Sequence, residues 1–183
     1  MQQVVELICH PDTPSASITT VAVELCMTDA GKALLTFSIS PAHTLVVPRP
    51  ASPVRTDGLW QHSCCELFLK SGDGEGYFEF NLSPSGQWAA YAFAGYRGGM
   101  CNLMLPIDPH IEAERVAEAF VLTANVDLAA ILTGIVRLNL TAVIEEAGGT
   151  KSYWALAHPS EKPDFHHPDG FILQLPDPTG FNA

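Results

Sequence analysis

Glu66 and Glu79 each sit inside a short run that reads as a strand, and the second of these alternates apolar and polar residues cleanly. The runs are Cys64-Cys65-Glu66-Leu67-Phe68-Leu69-Lys70 and Tyr77-Phe78-Glu79-Phe80-Asn81-Leu82. Alternation is the period of a β-strand, with successive side chains on opposite faces. Two carboxylates on neighbouring strands are the residue types of glycoside hydrolysis, which needs a pair about 5 to 10 Å apart. The same parity argument puts Asn81, Arg137 and Asn139 on polar strand faces, with the aromatics Trp60, Trp88, Tyr91 and Trp154 nearby in the pattern. Flat rings that cover a pyranose, beside fixed amide, guanidinium and carboxylate groups that bond its hydroxyls, are what a carbohydrate site requires. An antiparallel sheet with one ordinary solvated face has the same composition. Trp, Tyr and Arg are also the anchors of protein interfaces, so a protein partner fits these residues as well.

A second concentration of chemistry lies in His158-Pro159-Ser160-Glu161-Lys162-Pro163-Asp164-Phe165-His166-His167-Pro168-Asp169. His158, Asp164 and His166 are usable metal ligands, and a site there would suit metal-assisted hydrolysis. The spacing is not that of a helical zinc-protease motif, and His and Asp equally cap turns. In Tyr96-Arg97-Gly98-Gly99-Met100, paired glycines permit close backbone approach. Arg97 there could clamp a carboxylate in bidentate fashion. Met100 could serve as an axial haem ligand or fill a gap in the core. There is no Gly-x-Ser-x-Gly, and no glycine-rich phosphate loop opens a helix, so no catalytic residue is assigned.

The elements that must position these groups read as strands. Val21–Leu25, Ala33–Ile39, Cys64–Lys70, Tyr77–Leu82, Gln87–Ala94, Phe120–Val126, Ile135–Ile144, Ser152–Leu156 and Phe171–Leu175 carry the pattern. Asp29-Ala30-Gly31 and Ser83-Pro84-Ser85-Gly86 are turns between them, the latter closing a hairpin. Pro41 to Pro53 reads as a surface loop, because proline cannot donate to a ladder. Glu112 to Glu118 reads as a helical turn or a polar edge strand, and Asp127 as the N-cap of one or two helical turns over Leu128 to Leu132. About nine strands with short connections and one or two helical turns predict an all-β, two-sheet antiparallel sandwich, immunoglobulin-like or jelly roll. Residues 1–183 read as one domain of this kind.

Composition removes several function classes. The formal net charge is −11, from 9 basic and 20 acidic residues. Such a field repels phosphate backbones and anionic lipid, so neither nucleic acid nor membrane is an expected partner. No run approaches the roughly 20 apolar residues of a membrane helix. Met1-Gln2-Gln3-Val4-Val5-Glu6-Leu7 has no basic stretch before an apolar one, unlike a secretory signal. The five cysteines, Cys9, Cys26, Cys64, Cys65 and Cys101, form no Cys-x-x-Cys and are odd in number. They read as free, buried thiols of a reducing compartment, and the expected location is cytoplasmic.

The run Gly58-Leu59-Trp60-Gln61-His62-Ser63-Cys64-Cys65-Glu66-Leu67-Phe68-Leu69 resembles the Trp-to-Glu-Leu-Phe strand of DOMON-like domains and of family-nine carbohydrate-binding modules. Tyr77 to Trp88 resembles the strand and turn that follow it there. Tyr96-Arg97 to Met100 and Trp154 to His166 resemble a bacterial DOMON-like group. The likeness spans roughly residues 57 to 173 and is most specific in the central hairpin. It implies a sandwich that binds sugar or haem on one sheet, with Trp60, Glu66, Glu79, Asn81 and Trp154 as the matching sugar-site residues. The resulting expectation is a non-enzymatic module for a carbohydrate or related small polar ligand, with a haem-binding electron-transfer domain as the alternative.

Overall fold

A computed structural model describes residues 1–28 and 30–175. Asp29, and the part of the expected domain beyond Leu175, lie outside the described residues. Two antiparallel sheets face each other across a single apolar layer. The first contains β1 (Gln2–Glu6), β3 (Thr20–Met27), β4 (Lys32–Ser40), β10 (Ala119–Asp127) and β9 (His110–Val116), in the order β1-β3-β4-β10-β9. The second runs from β2 (Ile8–Cys9) through β12 (Lys151–Ala155), β11 (Val136–Glu145), β5 (Cys64–Ser71), β6 (Tyr77–Leu82) and β7 (Trp88–Phe93) to β8 (Cys101–Asn102). β13 (Leu173–Leu175) pairs with the start of β11.

The alternation dictates which residues meet in the middle. Leu25, Leu35, Phe37 and Leu122 come from the first sheet, and Leu67, Leu69, Phe80, Leu82 and Leu138 from the second; each is at most 1 % exposed. They form one continuous cluster. Interdigitated apolar side chains of this kind supply the main favourable term of folding.

The expected sandwich is the one observed, and several elements refine it. Glu112 to Glu118 belongs mostly to β9, an edge strand whose outward residues stay in solvent. Asp127 does cap a turn, accepting from the Ala129 amide at 3.1 Å. A single turn follows it, with the Ile131 and Leu132 amides donating to the Leu128 carbonyl at 2.9 and 3.1 Å, and the Leu128 side chain folds back into the core. Two short 3-10 turns among the described residues lie at Leu59–Gln61 and Pro168–Gly170. Only Cys64 and Cys65 are fully buried; Cys9 and Cys26 are half-buried and Cys101 is exposed. Cys9 and Cys101 sit on two-residue strands, and Cys26 shares the outward parity of Glu24 on β3.

Trp88 and Trp154 also depart from expectation. Both point inward, at 5 % and 4 % exposure, and belong to the main core. Trp88 opposes Leu82, and Trp154 opposes Ala142, so each shares the inward parity of its partner. The Trp154 indole N–H donates to the Ser152 hydroxyl at 2.9 Å, inside the protein.

Candidate ligand-binding site

The outer face of the second sheet brings the chemistry together, and strand register determines how. One cross-strand row is Thr141–Glu66–Asn81–Ala89, and the next is Asn139–Phe68–Glu79–Tyr91–Asn102. Glu66 and Glu79 are therefore diagonal neighbours on adjacent strands, about 7 to 8 Å apart along the backbone. This face is not the solvated one its polarity suggested. The chain from Pro163 to Phe171 folds across it, and Phe165 and Phe171 join Phe68, Tyr77, Tyr91 and Phe93 in a second apolar cluster.

What remains open between the covering loop and the strands is a pocket of about 890 Å³. That lies within the range of small-molecule sites. Its walls are aromatic, formed by Trp60, Phe68, Tyr91, Phe93, Tyr153 and Phe165; its polar groups include Asp57, Glu66, Glu79, Arg97, Asn102 and His166.

The two glutamates are the most constrained of these groups, at 2 % and 6 % exposure. The Thr141 hydroxyl donates to Glu66 Oε2 at 2.9 Å, and Asn81 Nδ2 donates to Glu79 Oε1 at 2.6 Å. Among the described residues, no donor bonds to Glu66 Oε1 or Glu79 Oε2. Burial pushes the Glu66 carboxyl well above the usual carboxylate range, and the charge of Glu79 adds to this. Burial also raises Glu79, against the Asn81 bond and the Arg97 charge. Glycosidases divide acid and nucleophile roles between carboxyls whose environments push their pKa values apart. Here both are pushed the same way.

His166 faces this pair, with Nε2 3.9 Å from Glu79 Oε2. Burial, helped by the Arg97 charge, lowers its pKa to about 4, so the ring is neutral at physiological pH. The Tyr77 hydroxyl lies 2.7 Å from Nδ1 and accepts the Arg97 backbone N–H at 3.2 Å. Donation of the Tyr77 proton to Nδ1 satisfies the hydroxyl and leaves the ring proton on Nε2, on the Glu79 side.

The rim is fixed by ion pairs. Arg97 adopts a left-handed backbone (φ 52°) in a turn closed by reciprocal Gly95–Gly98 bonds. Arg97 Nη2 donates to Asp164 Oδ1 at 2.7 Å, and the Tyr96 hydroxyl donates to Asp164 Oδ2. On the opposite side, Asp57 Oδ1 accepts from the Tyr91 hydroxyl and from Arg55 Nη1, each at 2.7 Å. The Arg55 guanidinium lies over the Tyr91 ring at 5.0 Å.

Of the residues singled out in the sequence, Trp60, Glu66, Glu79, Tyr91 and Arg97 line the pocket. Asn81 stands behind Glu79. Asn139 lies under the covering loop, donating to the Phe165 carbonyl at 3.1 Å. Arg137 projects into solvent in the Lys70–Arg137–Gln174 row, away from the pocket. Arg97 clamps the protein's own Asp164. His158 is far from His166 in its contacts, with Nε2 on the Ile8 carbonyl and its ring against His10. His158, Asp164 and His166 are thus not brought together, and no cluster of three potential metal ligands exists among the described residues. Met100 and His166 line the same pocket. However, a haem there would lay its macrocycle against two buried carboxylates, with the one lining guanidinium already committed to Asp164, and the residues do not fit it. Phe68, Phe93, Tyr153 and Phe165 were not singled out. Phe68 shares the parity of Glu66 and Tyr153 alternates with Trp154, so both carried a signal; Asp57, in a loop, carried none.

No protein-family model and no curated protein matches the chain. Among solved structures, a Bacteroides uniformis protein provisionally described as carbohydrate-binding aligns with a TM-score of 0.68 at 15% identity, over 93% of this chain and 84% of that one. A family-nine carbohydrate-binding module of Caldicellulosiruptor kristjanssonii, solved with glucose, aligns with a TM-score of 0.44 at 11% identity, over 79% and 69%. At 15% identity, the first likeness establishes a shared sandwich fold.

Proposed function

We propose that the protein is a non-enzymatic binding module that holds a carbohydrate or related small polar ligand in the pocket on the outer face of its second sheet. One observation carries this reading. Two carboxylates on largely buried side chains, each with one oxygen open to the cavity and without a donor among the described residues, stand in a pocket walled by aromatic rings. Hydroxyls entering between those rings would bond these oxygens. The description of the Bacteroides fold neighbour agrees with it. Isothermal calorimetry against mono- and oligosaccharides tests the reading. Saturable binding by the wild type is expected, weakened about tenfold or more in Glu79→Gln, because a bond to a charged group contributes about 1.5–3 kcal/mol. No heat from any sugar contradicts it.

A further inference from the structure

We propose that the ligand of this pocket carries a protonated amine, so that among sugars the pocket selects hexosamines over matched neutral hexoses. The inference rests on the binding reading above and names its ligand class.

The charges at the pocket decide it. Asp57, Glu66 and Glu79 are acidic members of the lining, and Arg97 is its guanidinium. The Arg97 guanidinium bonds to Asp164, 2.7 Å away, and reaches Glu79 through its charge alone; Asp57 is paired with Arg55, and His166 is neutral. The pocket is thus short of positive charge where its buried carboxylates stand. Both glutamates are more than nine-tenths buried, and each keeps one oxygen without a donor among the described residues. A sugar hydroxyl brings one proton to such a site. An ammonium brings three, and its bonds to carboxylates are charge-assisted and stronger. The walls suit the same guest, because aromatic rings line the pocket and such rings attract a cation. Burial raises the pKa of both glutamates, and an ammonium beside them would favour their charged form. The net charge of −11 favours the approach of a cation.

Calorimetry at pH 6.5 with glucosamine, galactosamine and mannosamine, each against glucose, galactose and mannose, tests this. At least one hexosamine is expected to bind about tenfold or more tightly than its neutral counterpart. The double variant Glu66→Gln/Glu79→Gln should lose that preference. Glutamine keeps the acceptors that Thr141 and Asn81 use, so the variant is expected to fold, which its melting curve shows; should it not fold, Glu79→Gln alone serves. Equal or tighter binding of the neutral sugars, or a preference that survives in the variant, overturns the amine proposal and leaves sugar binding standing. Absence of heat from both series overturns both.

Discussion

Replacing Glu146 with glutamine is expected to lower the unfolding free energy at neutral pH by about 3 kcal/mol. Glu146 follows β11 and is 1 % exposed. Burial alone would raise its pKa, but a surrounding set of donors more than reverses that. Oε2 accepts from the Ser15 hydroxyl and the Ala16 amide, both at 2.7 Å. Oε1 accepts from the Ser17 amide at 2.9 Å and from the hydroxyls of Ser17 at 2.8 Å and Thr44 at 2.9 Å. The result is a pKa of about 2, against an ordinary 4.5. Each pKa unit corresponds to about 1.4 kcal/mol, which gives the figure of about 3. Glutamine offers one oxygen and an amide N–H₂, so donors on one side would face another donor.

The pH dependence follows from the sign of the shift. A depressed folded-state pKa means that the carboxylate stabilises the fold fully above the unfolded value, and that this is lost as pH falls from 4.5 towards 2. Thermal melts should therefore show a gap of about 6 to 12 °C between wild type and variant at pH 7, at about 2 to 4 °C per kcal/mol for a domain of this size. The gap should close progressively below about pH 5. A gap that is absent at pH 7, or that persists unchanged to pH 2.5, contradicts the assignment.

The second large effect is at Phe68. Its ring is 1 % exposed, yet it lies on the outer face of the second sheet. His166, Phe171, Phe165 and Tyr77 surround it, with ring centroids at 5.1, 6.3, 6.4 and 6.5 Å. Truncating such a ring removes its burial and leaves a cavity, at a cost of about 3–5 kcal/mol. Phe68→Ala should lower stability by that amount in urea melts. It should also speed amide exchange in residues 163–171 ahead of the main core, because the covering loop loses its seat. A cost below about 1 kcal/mol, or unchanged exchange in the loop, would mean that the loop is held by Asp164 and Asn139 alone.

Those two residues show what the sequence can and cannot express. Alternation in Tyr77–Leu82 and Val136–Glu145 made both faces of each strand readable, and the core members Phe80, Leu82, Leu138 and Leu140 follow from it. That Glu66 and Glu79 share the polar face was legible for the same reason. Trp88 and Trp154 were misplaced because an aromatic's usefulness at a site says nothing about parity, and parity relative to the neighbouring strand depends on register. The outer face seemed solvated because its polar residues are dense. Its covering comes from Phe165 and Phe171, in a proline-rich segment whose path across the sheet no local periodicity encodes. Glu146 was silent for a related reason, since its donors come from residues far away in the chain.

The three tryptophans offer the most direct test of the central claim, that the ligand sits in the outer-face pocket. Trp60 is 51 % exposed and lines the pocket, whereas Trp88 and Trp154 are sealed in the core. A ¹⁵N-labelled sample titrated with the saccharide that gives the most heat should show the Trp60 indole N–H signal moving to saturation while the signals of Trp88 and Trp154 hold still. A Trp60 signal that stays fixed while the sugar binds would place the ligand elsewhere and contradict the account.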